Sequence, residues 1–130
     1  MTQEEKQLLL IDLCMRLPYK VIGHATWTYM ETNGEVKQAE KDRPIEVNDL
    51  YAILDFKPYL RPLDSMTEEE IKEHDKQICK DDEYLRETFE SPYACTVGLY
   101  ELEWLNTHHF DYRDLIGKGL ALVAPKDMYI

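Results

Sequence analysis

His108 and His109, with Asp111, Arg113 and Asp114 close behind them, are the residues of this chain whose types and spacing could do chemistry. Imidazoles beside carboxylates can ligate a divalent metal and activate a water, which is the equipment of a small metal-assisted hydrolase. Adjacent residues on a helix point about 100° apart. Two histidines that share one metal from a helix normally stand a turn apart, as in H-E-x-x-H. The pair alone is therefore a poor chelate, and a further ligand has to come from elsewhere, with Glu101, Asp111 and Asp114 nearest in sequence.

A structural reading covers the same residues. On a helix, Leu102, Leu105 and His109 share one stripe and Tyr100, Trp104 and His108 a neighbouring one, so His109 closes an apolar face and His108 stacks on Trp104. Asp111 is placed to N-cap a short following helix, with Asp114 in its first turn where a carboxylate suits the helix dipole. Gly117 and Gly119 are placed to end that helix. Capping and surface pairing thus explain Asp111, Arg113 and Asp114 as well as a polar catalytic cluster does.

The elements that must position these residues begin with a helix from Gln3 to Leu17. Thr2 with Glu5 is a capping-box signature, and Leu10, Leu13, Cys14 and Leu17 recur at helical spacing, which puts Cys14 in the core. Pro18 stops the helix. The stretch Ala25-Thr26-Trp27-Thr28-Tyr29-Met30 is dense in β-branched and aromatic residues, and Asn33-Gly34 is a two-residue hairpin signal in which both residues need positive φ. A hairpin pairing 24–31 with 35–40 follows. Trp27 and Tyr29 share one face of it. They are expected in the core, since large aromatics are mostly buried, with an exposed aromatic patch as the alternative. Lys41-Asp42-Arg43-Pro44 reads as a loop, 45–47 and 50–54 as short strands, and Lys57 to Pro62, with two prolines, as a stiff structural connector.

Ser65 with Glu68 and Thr67 with Glu70 offer overlapping capping boxes for a further helix, whose apolar stripe is sparse: Ile71, Ile78, Leu85 and Phe89, with His74 alongside. From Asp64 to Glu90 the chain carries eleven acidic residues against four basic ones, which accounts for most of its net charge of −11. Such a run is either a solvated face or an acidic docking surface for a basic partner, with Glu69, Glu73 and Glu83 as its candidate contacts. Ser91-Pro92 marks another helix start, leading into Leu99 to Ile116. The apolar tail from Leu120 to Pro125 can add a strand or fold over the core.

Two sets of segments resemble a family of short uncharacterised proteins of gut Bacteroidales and their phages or prophages. One is Lys57-Pro58-Tyr59-Leu60-Arg61-Pro62 with Ser65 to Glu70. The other is Trp104-Leu105-Asn106 with His108 to Arg113, continuing through Gly119 to Leu122 and Ala124-Pro125. The opening from Met1 to Lys6, through Leu17-Pro18-Tyr19, is similar too, whereas 21–49 carries no resemblance. The likeness implies no activity, site or cofactor.

Composition bounds the rest. The 130 residues are most simply one domain, and 44% hydrophobic content is ordinary for a chain with a core. Three cysteines without C-x-x-C spacing point to neither a disulfide framework nor a zinc ribbon, and fit the cytoplasm. No signal peptide or membrane span is read, and a charge of −11 disfavours direct binding to nucleic acid or to anionic membranes. No P-loop, dinucleotide fingerprint, nucleophile elbow or cofactor motif is present. The expectation is an α+β fold: an N-terminal helix, a small antiparallel sheet curling towards a partial barrel, and C-terminal helices. The expected function is that of a non-catalytic interaction protein, an adaptor or inhibitor of mobile-element type, with a protein partner that is basic or itself binds nucleic acid. The metal-assisted hydrolase around His108 and His109 is the alternative.

Overall fold

Helix α1 spans Gln3–Arg16 in the computed structural model of the chain, which describes residues 2–50, 56–77 and 98–129. Thr2 is its N-cap, with Oγ1 accepting from the Glu5 amide at 3.1 Å. Pro18 falls in a 3-10 turn, Leu17–Tyr19, and the left-handed Lys20 (φ 53°) turns the chain away. The buried face is Leu9, Asp12, Leu13 and Arg16. Cys14 is exposed, not core, and Leu10 faces solvent as well. The stripe is rotated because a charged pair occupies it. Arg16 Nε meets Asp12 Oδ2 at 2.6 Å, one turn apart, and both side chains are fully buried.

The sheet is built on β1 (Ile22–Met30) and β2 (Val36–Pro44), an antiparallel hairpin in register from Ile22 opposite Pro44 to Met30 opposite Val36. The loop between them has three residues rather than two. Glu31 pairs with Glu35, the Gly34 amide returns to the Glu31 carbonyl at 2.9 Å, and only Gly34 takes positive φ (85°). Lys41 to Pro44, expected as a loop, are strand, and the expected strand at 45–47 gives way to a 3-10 turn, Val47–Leu50. Asp49 fixes that turn: its carboxylate takes both Arg43 guanidinium nitrogens and the Glu46 amide. The remainder of the strand expected at 50–54 lies outside the described residues.

The expected connector is the strand β3 (Phe56–Pro62), on which the rest of the sheet converges. Gly23 to Ala25 of β1 pair antiparallel with Phe56 to Pro58. The short β4 (Phe110–Asp111) and β5 (Leu122–Val123) pair parallel with the rest of β3, so the sheet is mixed rather than antiparallel and does not close into a barrel. Pro62 is the last residue of the strand, and Pro58 is tolerated because of where it falls. The Ile45 amide donates to the Val21 carbonyl, which sets the odd-numbered residues of β1 towards β2. The Gly23–Pro58 pair is therefore a non-hydrogen-bonded one, and no ladder bond is lost there.

One face of β1 and β3 (Ala25, Phe56, Leu60) packs with Leu9 and Leu13 of α1 and with Leu115, Leu120 and Ala121 into the main core. A second cluster, Trp104, Leu105 and Phe110, gathers Met66 and Tyr112. Trp104 and Leu105 belong to α3 (Leu99–Thr107), and α2, helical over 68–77 as far as it is described, meets the cluster through His74, whose ring centre lies 5.5 Å from that of Trp104. Thr67 and Glu70 form the expected reciprocal capping box, whereas the Ser65 hydroxyl bonds the Pro62 carbonyl instead. Glu70 also takes a bidentate pair of bonds from Arg61 at 2.6 and 2.7 Å, while the Arg61 guanidinium lies 4.2 Å from the Phe110 ring centre. The Arg61 bonds, with Thr67, hold the Glu70 carboxyl down at about 2. Ile71, expected on the apolar stripe, is 46% exposed; α2 is attached instead by polar groups. The acidic segment beyond 77, with Cys79 and Cys95 and the start expected at Ser91-Pro92, lies outside the described residues.

Candidate functional site

Helix α3 ends at Thr107, before both histidines, and that decides their fate. His108 is the C-cap: Nδ1 bonds the Trp104 carbonyl at 2.8 Å and the ring stacks on Trp104 at 4.2 Å. His109 takes the left-handed position just past the cap (φ 62°), which removes it from the Leu102–Leu105 stripe and turns its ring onto Tyr129, 3.8 Å between centres. Burial, with the charges of Arg16, His108 and Arg61 nearby, pushes its pKa down to about 4. Tyr129 in turn threads its hydroxyl between β1 and β3, 2.9 Å from the Ile22 amide and 2.6 Å from the Tyr59 carbonyl.

The Asp111 carboxylate accepts backbone amides of Arg113, Leu115 and Ile116 at 3.0–3.3 Å, which is the work of a cap. The short helix expected behind it contracts to one turn. Asp114 is exposed and left-handed (φ 57°) rather than in a first helical turn. Leu120 and Gly119 amides return to the Leu115 and Ile116 carbonyls with Gly119 at φ 74°, the bonding of a helix C-terminus. His108, His109, Asp111 and Asp114 therefore do not converge. Among the described residues, no group of three or more His, Cys, Asp or Glu side chains is arranged to hold a metal ion.

The polar centre lies one layer away and includes two residues that sequence reasoning passed over. Asp12 and Arg16 of α1 meet Arg113. Arg113 Nε is 3.2 Å from Asp12 Oδ1 without hydrogen-bond alignment, and Arg16 Nη2 donates to the Phe110 carbonyl at 2.7 Å. Both guanidiniums face the Tyr112 ring, at 5.0 and 5.2 Å. The signal was available: Asp12 and Arg16 stand at i and i+4 in phase with Leu9 and Leu13.

A neutral buried His109 has a consequence for acid stability. Its folded pKa lies below the unfolded 6.5, so its contribution is complete above pH 6.5 and is lost as pH falls towards 4. Glu70 acts in the next window, from its ordinary 4.5 down to about 2. In urea denaturation at stepped pH, His109→Asn, which tolerates the left-handed conformation, is expected to flatten the loss between pH 6.5 and 4 and leave the lower limb in place.

The candidate protein-binding residues are placed as follows. Trp27 and Tyr29 are 42% and 44% exposed, not core. Among the described residues β3 pairs with Gly23 to Ala25 of β1, which leaves the hairpin from Thr26 onward as an arm of two described strands. Opposite Trp27 and Tyr29 on the same face lie Ala39 and Lys37, and Met30 and Val36 are exposed at the tip. At the base, a hollow of about 370 Å³ opens between Trp27, Arg43, Asn48 and Asp49. On the acidic helix, Glu69 is exposed, whereas Glu73 Oε2 accepts from the Trp104 indole at 3.4 Å and His74 meets Glu101 at 2.6 Å. Glu73 is thus also a packing residue, and Glu83 lies outside the described residues. The exposed side of β1 carries one further cluster: the His24 ring lies between Asp42 (2.8 Å) and Glu40 (3.2 Å), and the Tyr59 hydroxyl donates to Asp42. The carboxylate bonds, that to Asp42 foremost, raise the His24 pKa.

No protein-family model, curated protein or solved structure matches this chain. No helix among the described residues is long and apolar enough to cross a membrane.

Proposed function

We propose that the chain is a non-catalytic interaction protein, an adaptor or inhibitor of mobile-element type acting in the cytoplasm, which binds a protein partner through the aromatic face of its hairpin arm. The observation that carries this reading is the exposure of Trp27 and Tyr29 together on one face of the β1–β2 hairpin. Rigid amphipathic rings of this kind supply much of the binding energy of protein interfaces at small cost in side-chain entropy. The hollow beside Trp27 offers room for a partner side chain. The net charge of −11 adds a long-range preference for a partner that is basic overall, a nucleic-acid-binding protein included, over nucleic acid itself.

The test is affinity capture by the wild-type chain and by the Trp27→Ala, Tyr29→Ala double variant, at low and moderate salt. Retention of a specific partner is expected to fall about tenfold or more in the variant, with the unfolding midpoint unchanged. A partner held equally by both would overturn the assignment of the arm. Glu69→Lys separates the acidic helix from the arm: it is expected to weaken capture chiefly at low salt.

A further inference from the structure

Among the described residues, no strand pairs with the outer edge of β2, which is nine residues long. Because Ile45 bonds Val21 and Glu31 bonds Glu35, the odd-numbered residues of β2 turn their amides and carbonyls towards β1. Val36, Gln38, Glu40 and Asp42 therefore present theirs outward, and nothing among the described residues lies along them. On the aromatic face, the edge shows Lys37, Ala39 and Lys41 in alternation. Ala39 forms a notch beside Trp27, its direct cross-strand partner. Lys37 shares an exposed ion pair with Glu31 at 3.0 Å, and Lys41 has none among the described residues. On the other face Glu40 reaches into solvent, with 72% of its side chain exposed.

We infer that this edge takes an antiparallel strand from the partner protein, with acidic side chains opposite Lys37 and Lys41, an apolar one opposite Ala39 and a basic one opposite Glu40. The inference rests on the interaction reading above and specifies its mode. Backbone bonds supply affinity in strand addition, and side chains at alternate positions supply selectivity. The odd-numbered positions form the non-hydrogen-bonded pairs of such a ladder, where side chains approach most closely, so the two lysines are read most strongly.

A second copy of the chain is the wrong occupant. The outward residues of both copies must face each other, which permits only registers that set even against even and odd against odd. Each of the three such registers with the longest overlap sets like charges directly opposite: Lys37 against Lys41; Lys37 against Arg43 with Glu40 against itself; or Lys41 against itself with Glu40 against Asp42. Like charges opposite each other destabilise a ladder, and charged edges are a known guard against self-pairing. An edge guarded in this way accepts a strand of the complementary pattern and refuses its own.

The experiment uses the full chain and a synthetic peptide whose core reads, from its N-terminus, glutamate, lysine, valine, threonine, glutamate. Hydrogen exchange followed by NMR is expected to show new protection at the amides of Gln38, Glu40 and Asp42. Those of Lys37, Ala39 and Lys41, already bonded to β1, are expected to stay unchanged. Lys41→Glu is expected to weaken binding at least tenfold, and a peptide with lysine in place of its first glutamate to restore it. Peptide binding that quenches Trp27 fluorescence without protecting the even-numbered amides would overturn strand addition while leaving the aromatic-face reading intact. Absence of binding at millimolar peptide would overturn the charge pattern. Protection of the same amides that grows with protein concentration alone would show self-pairing and overturn the choice of occupant. The capture experiment with Trp27→Ala and Tyr29→Ala tests the interaction reading independently.

Discussion

Replacing Arg16 with methionine is expected to destabilise the protein by about 3–5 kcal/mol, measured as a shift of the urea midpoint at neutral pH. Arg16 and Asp12 are both without solvent exposure, joined at 2.6 Å, and the guanidinium also ties α1 to the Phe110 carbonyl of β4. Removing the arginine strands a buried carboxylate whose other neighbour, Arg113, stands 3.2 Å away without hydrogen-bond alignment. The double change Asp12→Leu with Arg16→Met separates two explanations. If the cost is an uncompensated charge, the double variant regains most of the loss, since apolar groups of similar volume replace buried ion pairs at little cost. If the cost is the broken tie to β4, the double variant stays as unstable as the single one. Two arginine nitrogens, Arg16 Nη1 and Arg113 Nε, and one aspartate oxygen, Asp12 Oδ1, lack a hydrogen-bond partner among the described residues of this network, which favours the first outcome.

Gly23→Ala is expected to cost about 1–3 kcal/mol or more, by the same measurement. A Cβ at this position would overlap the ring of Phe56, which is 1% exposed and wedged under the Gly23–Pro58 pair. The ring cannot retreat without disturbing Ala25 and the α1 side of the core. Phe56→Leu made together with Gly23→Ala is expected to cost less than the sum of the two single changes, because the shorter side chain vacates the overlap.

Local signals in the sequence located α1, its Thr2 cap, the turn at Gly34 and the Thr67–Glu70 box, because each depends on a few adjacent residues. His108 on Trp104 was legible for the same reason, being a contact within one helical turn. What was hidden depended on distant partners. The phase of α1 could not be read from hydrophobicity, since Asp12 and Arg16 hold the buried face only by virtue of each other, Phe110 and Arg113. The two prolines of β3 masked a strand because Pro58 is acceptable only through its place in a pair that carries no ladder bond, a matter settled by β1, and Pro62 because it ends the strand. At the candidate site, Asp111 was read correctly as a binder of backbone amides but not as the support of a single turn, and Asp114 was misplaced with the helix. The exposure of Trp27 and Tyr29 was not legible because it depends on what the rest of the fold lays against that face of the hairpin, not on the aromatic character of the residues themselves.

The pairing of β3 also sets the order in which contacts can form. The arm closes through residues a few positions apart around Gly34, an event of the microsecond class for an isolated hairpin. β3 draws together stretches near 23, 110 and 122, so its ladder is complete only when loops of tens of residues have closed. The arm can thus be formed before the body that carries it, and a docking surface of purely local contacts is available ahead of the rest of the molecule.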